Sequence, residues 1–223
     1  TLTIEPGTVI KFATGDDFDY RIGTAINRNF NVGFLRVKGS LIANGEINNI
    51  ILFTHEDING KWGNLVLDNA KNVEINYCIF KYSYYIRGVV EDDNATGAIS
   101  FLACSGTVKN TIVTNSWVGV NAKKSAEPIV DNCIFCNNNY AIESNTYSKI
   151  TVTNTIVKNN VTQFYTNPGA TIILSNSYLQ DDDLINGVYA KENIVYNNLN
   201  GIDNNLDISK CSPSKRAKDN NKR

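Results

Sequence analysis

Apolar residues recur along this chain with a long period that no helix produces. Between Val108 and Leu179 the segments VKNTIV, VDNCIF, VTNTIV and LSNSYL repeat one pattern. Asn110, Asn132, Asn154 and Asn176 each follow the last by 22 residues. Val108, Val130, Val152 or Leu174 stands two residues before each Asn, and Val113, Phe135, Val157 or Leu179 three residues after it. Seven residues beyond the first three of those come Val120, Ile142 and Phe164, and nine beyond the last comes Val188. A period of roughly 20 to 30 residues, rich in β-branched side chains, marks a stacked β-solenoid.

The repeat extends outward from this region. Each coil closes on an apolar residue (Phe12, Phe53, Phe80, Val113, Phe135, Val157, Leu179), and the next opens on another (Leu35, Leu65, Ile99, Val120, Ile142, Phe164, Val188). Opener and closer are 14 to 18 residues apart, room for three short strands with inward side chains in period two. Leu35/Val37, Leu65/Leu67, Ile99/Phe101 and Ile142/Ser144 fall on the first sheet, and Val73/Ile75 and Ile150/Val152 on the second. From closer to the next opener the distances are 23, 12, 19, 7, 7, 7 and 9. One corner is therefore minimal in the later coils and carries insertions at about 13–33, 54–63 and 81–97 in the early ones. Equivalent corners of adjacent coils lie about 4.8 Å apart, so the three insertions meet on one surface.

Composition supports the bends. There are 34 Asn and four Pro in 223 residues. Asn tolerates left-handed backbone and bonds locally, which suits sharp corners and disfavours helix interiors. A net charge of −1 leaves no footprint for nucleic acid, and no apolar run is long enough to span a membrane. The absence of Met and of a signal peptide reads as a processed product or a piece of a longer chain, with an open N-terminal end at Thr1. That end would stack on a copy of itself or on preceding chain, because a bare solenoid end exposes strand edge and core. Residues 1–204 form the solenoid domain, and 205–223 a polar basic tail. Cys78 and Cys133 stand where other coils carry Thr111, Thr155 and Ser177, which reads as a stack of small side chains. A Cys133–Cys136 bridge or a reactive thiol is the alternative.

The segments LTIEPGTVIKF, GSLIANG and KWGNL, the last preceding VEINYCIFKYS, resemble the pectate-lyase-like superfamily of right-handed parallel β-helix proteins, and its secreted repeat-type members in particular. The resemblance covers most of residues 1–200. It implies an all-β, right-handed parallel β-helix of about seven coils, with three short strands per coil and insertions at one corner. It also implies an asparagine ladder of Asn110, Asn132, Asn154 and Asn176 at the bend between the second and third strands. Stacked amides that bond one another make the same expectation chemically sound. Pectinolytic members would place a cleft on the outer face of one sheet, with calcium-binding carboxylates and a basic residue, or three aspartates. The outward row of the first sheet here reads Arg36, Val66, Ser100, Asn121, Glu143, Tyr165 and Tyr189. One carboxylate in that row argues against a lyase or hydrolase cleft, since hydrolysis of a sugar linkage needs converging carboxylates or a metal.

The insertions are the better site. They carry Tyr20, Arg21, His55, Trp62, Tyr82, Tyr84, Tyr85 and Arg87, a mixture of rings and hydrogen-bonding groups of the kind that binds sugars. His55, the single histidine, reads on its own as a solvated loop residue. Asp16, Asp17 and Asp19 with Glu91, Asp92 and Asp93 could supply oxygen ligands to Ca²⁺, although neither group has the spacing of a calcium loop. No other cofactor is expected. The expectation is a non-catalytic extracellular or cell-surface module that binds a polysaccharide or cell-surface glycan through its corner loops. One rival is a polysaccharide lyase or hydrolase with a displaced site, and another a structural segment of an adhesin, filament or tailspike.

Overall fold

The computed structural model describes residues 1–14, 33–56, 60–90, 93–180, 187–192 and 194–196. Every regular element among them is a strand. Each turn of chain adds one strand to each of three parallel sheets, here called opener, middle and closer in the order the chain visits them. The opener sheet has six strands: Leu35–Val37, Leu65–Asp68, Gly97–Leu102, Val118–Lys123, Tyr140–Ser144 and Thr162–Thr166. The middle sheet has eight, from Leu2–Ile4 to Val188–Glu192, and the closer sheet eight, from Val9–Phe12 to Val195–Tyr196. The result is a parallel β-helix of about seven coils.

The 22-residue step of the sequence is the hydrogen-bonding register. Val108, Val130, Val152 and Leu174 pair in series in the middle sheet. Val113, Phe135, Val157 and Leu179 do so in the closer sheet, and Val120, Ile142 and Phe164 in the opener sheet. All these side chains are buried and form one continuous core. In the early coils the closer position holds Phe53 and Phe80, whose rings stack 4.3 Å apart and 6° from parallel.

Two expectations from the repeat are corrected. Ile10, not Phe12, pairs with Phe53; Phe12 pairs with His55 and stacks on Trp62 instead. The apolar alternation in VIKF fits both registers, so the pattern alone did not choose between them. Val188 pairs with Ile172, which puts Val188 and Tyr189 in the middle sheet and takes Tyr189 out of the opener row.

Bends use left-handed backbone at fixed places. Asn110, Asn132, Asn154 and Asn176 have φ between 47° and 50°, and five residues on, Asn115, Asn137 and Asn159 have φ between 54° and 58°. Asn enters this region at the least cost of any residue with a side chain. Just after the first bend a hydroxyl row lines the interior. Thr111 Oγ1 accepts the Cys78 N–H, Thr155 Oγ1 the Cys133 N–H and Ser177 Oγ the Thr155 N–H. Each hydroxyl donates in turn to the carbonyl two residues earlier. Cys78 and Cys133 sit in this row, with their thiols against the carbonyls of Asn76 and Asp131. Cys136 is disulfide-bonded while Cys78, Cys104 and Cys133 remain thiols, so the Cys133–Cys136 bridge does not form.

The asparagine ladder is shorter than expected. Asn132 donates to Asn110, but Asn110 donates to Asn76, one residue ahead of the bend in the preceding coil, and Asn154 donates to Asp131 at the matching place. A carboxylate is the stronger acceptor and diverts the amide. Replacing Asn132 by Ala removes an amide bond and forces a β-carbon-bearing residue with no local bond into φ 50°. Asn132→Ala should lower unfolding free energy by roughly 2 kcal/mol in urea titrations, and Asn132→Gly by less, because Gly accepts that φ freely.

The opposite corner carries an ion pair. Arg36 Nε donates to buried Asp68 at 3.0 Å, its Nη2 makes a second contact with the same oxygen, and Lys38 Nζ lies 3.8 Å away. Burial pushes the Asp68 carboxyl up, but bonds from Arg36 and Asn69 and the charges of Arg36 and Lys38 outweigh it and hold it below its ordinary 3.8. A depressed carboxyl stabilises the fold above its unfolded value and loses that contribution as pH falls through the folded one. Thermal melts of Asp68→Asn should therefore be lower than the parent's at pH 7 and converge toward them below pH about 3.

Candidate functional site

The corner from closer to opener is built by a short polar sequence. After Asn115, Asn137 or Asn159 comes Ser116, Asn138 or Asn160, turned inward. Ser116 N–H donates to Asn138 Oδ1 and Asn138 N–H to Asn160 Oδ1, each at 3.0 Å. Asn138 Nδ2 donates to the Val113 carbonyl and Asn160 Nδ2 to that of Phe135. These amides tie each coil to its neighbours and fix the residue that follows, which must point outward. In the third insertion Tyr82 takes the left-handed position at φ 66°, and Ser83 the inward one, with its N–H bonded to Ser116 Oγ. A ring at a left-handed position costs roughly 1–2 kcal/mol, a strain that concentrates at functional places.

On this frame the described parts of the insertions come together. Trp62 pairs with Ser83 in an isolated parallel bridge, and Tyr84 N–H donates to the Trp62 carbonyl at 2.8 Å. Gly33 N–H donates to the Ala13 carbonyl and Gly63 N–H to that of Gly33, so all three insertions are stitched through described residues. Trp62 is fully buried, stacked on Phe12 at 4.3 Å and bonded through its indole N–H to the Lys81 carbonyl. It supports the corner from within.

Outside it runs a row of rings. Lys61 Nζ sits 4.3 Å from the Tyr84 ring centre. Tyr84 and Tyr85 lie 5.0 Å apart, and Trp117 is 5.2 and 5.4 Å from them. Tyr140 follows at 6.2 Å from Trp117, and Tyr165 at 5.9 Å from Tyr140. Tyr84 is buried; Tyr85, Trp117 and Tyr140 are half-buried; Tyr165 is 40% exposed. Tyr84 and Tyr85 share a coil, and from Tyr85 the row climbs one coil per ring to Tyr165, along the solenoid and obliquely onto the opener face. His55 and Tyr82, at 4.8 Å, flank its lower end.

His55 corrects an expectation. It ends the closer strand Ile51–His55, paired with Phe12, and is 8% exposed, so it is not a solvated loop residue. The outward face of the opener sheet is also not open. Val66, Ser100 and Asn121 are fully buried on it, because Ala95 packs on Val66 and Leu102 and Thr96 Oγ1 donates to Glu143 at 2.7 Å. In the third insertion Ile86–Val90 pairs with Asp93–Ala95, and the residues that follow the hairpin turn, Ala95 and Thr96, reach this face. Glu143 has Asn121 and Tyr165 as its partners in the adjoining coils, and accepts from Asn145 as well as Thr96.

Of the residues singled out from sequence, Tyr82, Tyr84, Tyr85, His55 and Trp62 come together at this corner. Arg87 and Asp93 lie in the two strands of the hairpin. Tyr20, Arg21, Asp16, Asp17, Asp19, Glu91 and Asp92 lie outside the described residues. Among the described residues no group of three His, Cys, Asp or Glu could hold a metal ion. Trp117 and Tyr140 were missed because successive rings of the row are 23 and 25 residues apart, drifting off the 22-residue phase. A search for one ring per turn, with the phase left free, finds them.

The buried thiols contribute no nucleophile. Burial pushes Cys78 and Cys133 up to about 12, and Cys104 also upward. The thiolate is the reactive form, so iodoacetamide at pH 8 should leave all three unlabelled in the folded protein and label them after denaturation, as read by peptide mass spectrometry. Comparison with protein-family models finds no match, and comparison with curated proteins finds none of significant similarity.

Proposed function

We propose that this is a non-catalytic carbohydrate-binding module of the right-handed, pectate-lyase-like kind, which lays an extended polysaccharide or cell-surface glycan along the ring row from Tyr85 to Tyr165. The observation that carries the reading is the row itself: four rings at 5.4, 6.2 and 5.9 Å spacing, one per coil, of which Tyr165 is the most exposed. Rings pack on the apolar faces of sugars, and amides and carboxylates beside them bond hydroxyls. Asn139, Glu143, Thr162 and Asn167, whose Oδ1 accepts from the Tyr165 hydroxyl, supply such groups here.

Glu143 narrows the choice of chain. Its charge beside Tyr165 repels an acidic polymer and leaves neutral glycans favoured. Its neighbours in the row are an amide and a phenol rather than a second carboxylate, which is why we favour binding over cleavage. A glycan ligand in turn implies an exported or surface-displayed protein.

A glycan array with and without EDTA tests this, followed by titration calorimetry of neutral β-linked hexasaccharides. Neutral chains should bind and polygalacturonate should not. Tyr165→Ala and Trp117→Ala should each weaken binding about tenfold or more, with Tyr165→Ala unchanged in melting temperature. Binding untouched by both substitutions contradicts the reading.

A further inference from the structure

The opener face holds an arrangement that the ring row leaves unused. Asn121 points outward there, between Ser100 of the preceding coil and Glu143 of the next. It is fully buried, and neither atom of its amide has a hydrogen-bond partner among the described residues. Exchanging the two atoms changes nothing, since both lack one. Other buried amides of the solenoid use at least one atom: Asn138 bonds through both, and Asn64, whose Oδ1 lacks a partner, donates to the Gly97 carbonyl at 2.6 Å. A sealed, unbonded amide lowers stability and calls for a reason.

The seal is the chain just before the opener strand. Gly97 pairs with Val118, and Val118 with Tyr140, so Glu143 belongs to the second coil beyond Gly97, about 10 Å along the axis. Thr96 reaches Glu143 only by lying across the coil between, over Asn121. Gly97 completes the cover: a β-carbon there would fall 2.7 Å from Asn121 N and 2.9 Å from Asn121 Cβ.

We propose that Asn121 and Glu143 form a polar subsite for one sugar of the chain bound on the ring row, closed in the free protein by Thr96. This rests on the glycan reading above. An amide offers a donor and an acceptor, and a carboxylate accepts twice, a set that matches two adjacent hydroxyls on a pyranose. A sugar hydroxyl replaces that of Thr96 on Glu143, and a second one meets Asn121. Tyr165, the register partner of Glu143, joins the subsite to the end of the ring row. Binding then draws on the fraction of molecules in which Thr96 has let go, which reduces the apparent affinity by that fraction.

The test is calorimetric titration of the intact protein with cellohexaose, xylohexaose, mannohexaose and chitohexaose, with thermal melts alongside. Thr96→Val, which keeps the shape and removes the bond to Glu143, should tighten binding several-fold. Asn121→Leu should weaken binding tenfold or more while raising the melting temperature, because the unbonded amide is gone. If Leu proves too large to fold, Asn121→Ala carries the same expectation for binding. Unchanged affinity in Asn121→Leu or Asn121→Ala, with binding still lost in Trp117→Ala, overturns the subsite and leaves the ring reading intact; the amide then holds a trapped water only. Unchanged affinity in Thr96→Val overturns the closure. If none of the four sugars binds the parent protein, the subsite and the ring reading fall together.

Discussion

Parallel backbone hydrogen bonding between one turn of chain and the next holds equivalent residues about 4.8 Å apart and lets them slip only at the loss of a whole ladder. The rest of this molecule follows from that constraint. Because Val113, Phe135, Val157 and Leu179 are locked in series, a side chain chosen in one coil is judged by its neighbours above and below. Ring therefore stacks on ring in the early coils, while in the later ones Phe135 lies between two valines and fills the space they leave. The same ladder demands that the chain turn sharply three times per coil; left-handed Asn110, Asn132, Asn154 and Asn176 meet that demand at one bend and Asn115, Asn137 and Asn159 at another, while the bend after the opener strands uses residues such as Lys124 and Thr146.

A rigid frame of this kind lets irregular chain do specific work. The corner between closer and opener is held from inside by Ser83, Ser116, Asn138 and Asn160, whose bonds to adjacent coils leave the following residue no choice but to face out. The ring of Trp117, which follows Ser116, is thus set outward by the bond between Ser116 and Asn138. The third insertion uses the frame differently. Its last residues lie on the opener face, Ala95 against Val66 and Thr96 on Glu143, and leave Val66 and Asn121 buried.

Much of this was legible in the sequence, for a physical reason. Core positions repeat because the register repeats, so the 22-residue step identified the sheets, the bends and the corner that carries insertions. Legibility failed where the period stopped constraining the residue. Ile10 and Phe12 stand two residues apart on one face of VIKF, so the segment accommodates a two-residue slip, and the pattern points to Phe12 where the register uses Ile10. Trp117, Tyr140 and Tyr165 drift in phase because they face solvent, where no neighbour enforces the step. The burial of His55 and Asn121 depends on chain arriving from elsewhere, which local pattern does not carry. The diversion of Asn154 to Asp131 depends on one acidic side chain beside the ladder.

The central claim is that rings aligned by the coil spacing hold an extended sugar chain along the solenoid axis. Affinity measured against chain length tests it most directly, using calorimetry on the neutral series that binds, from disaccharide to octasaccharide. The account predicts affinity that climbs with each added sugar until the chain spans Tyr85 to Tyr165 and then levels off. A disaccharide that binds as tightly as the longest chain would place the ligand at a single point and contradict it.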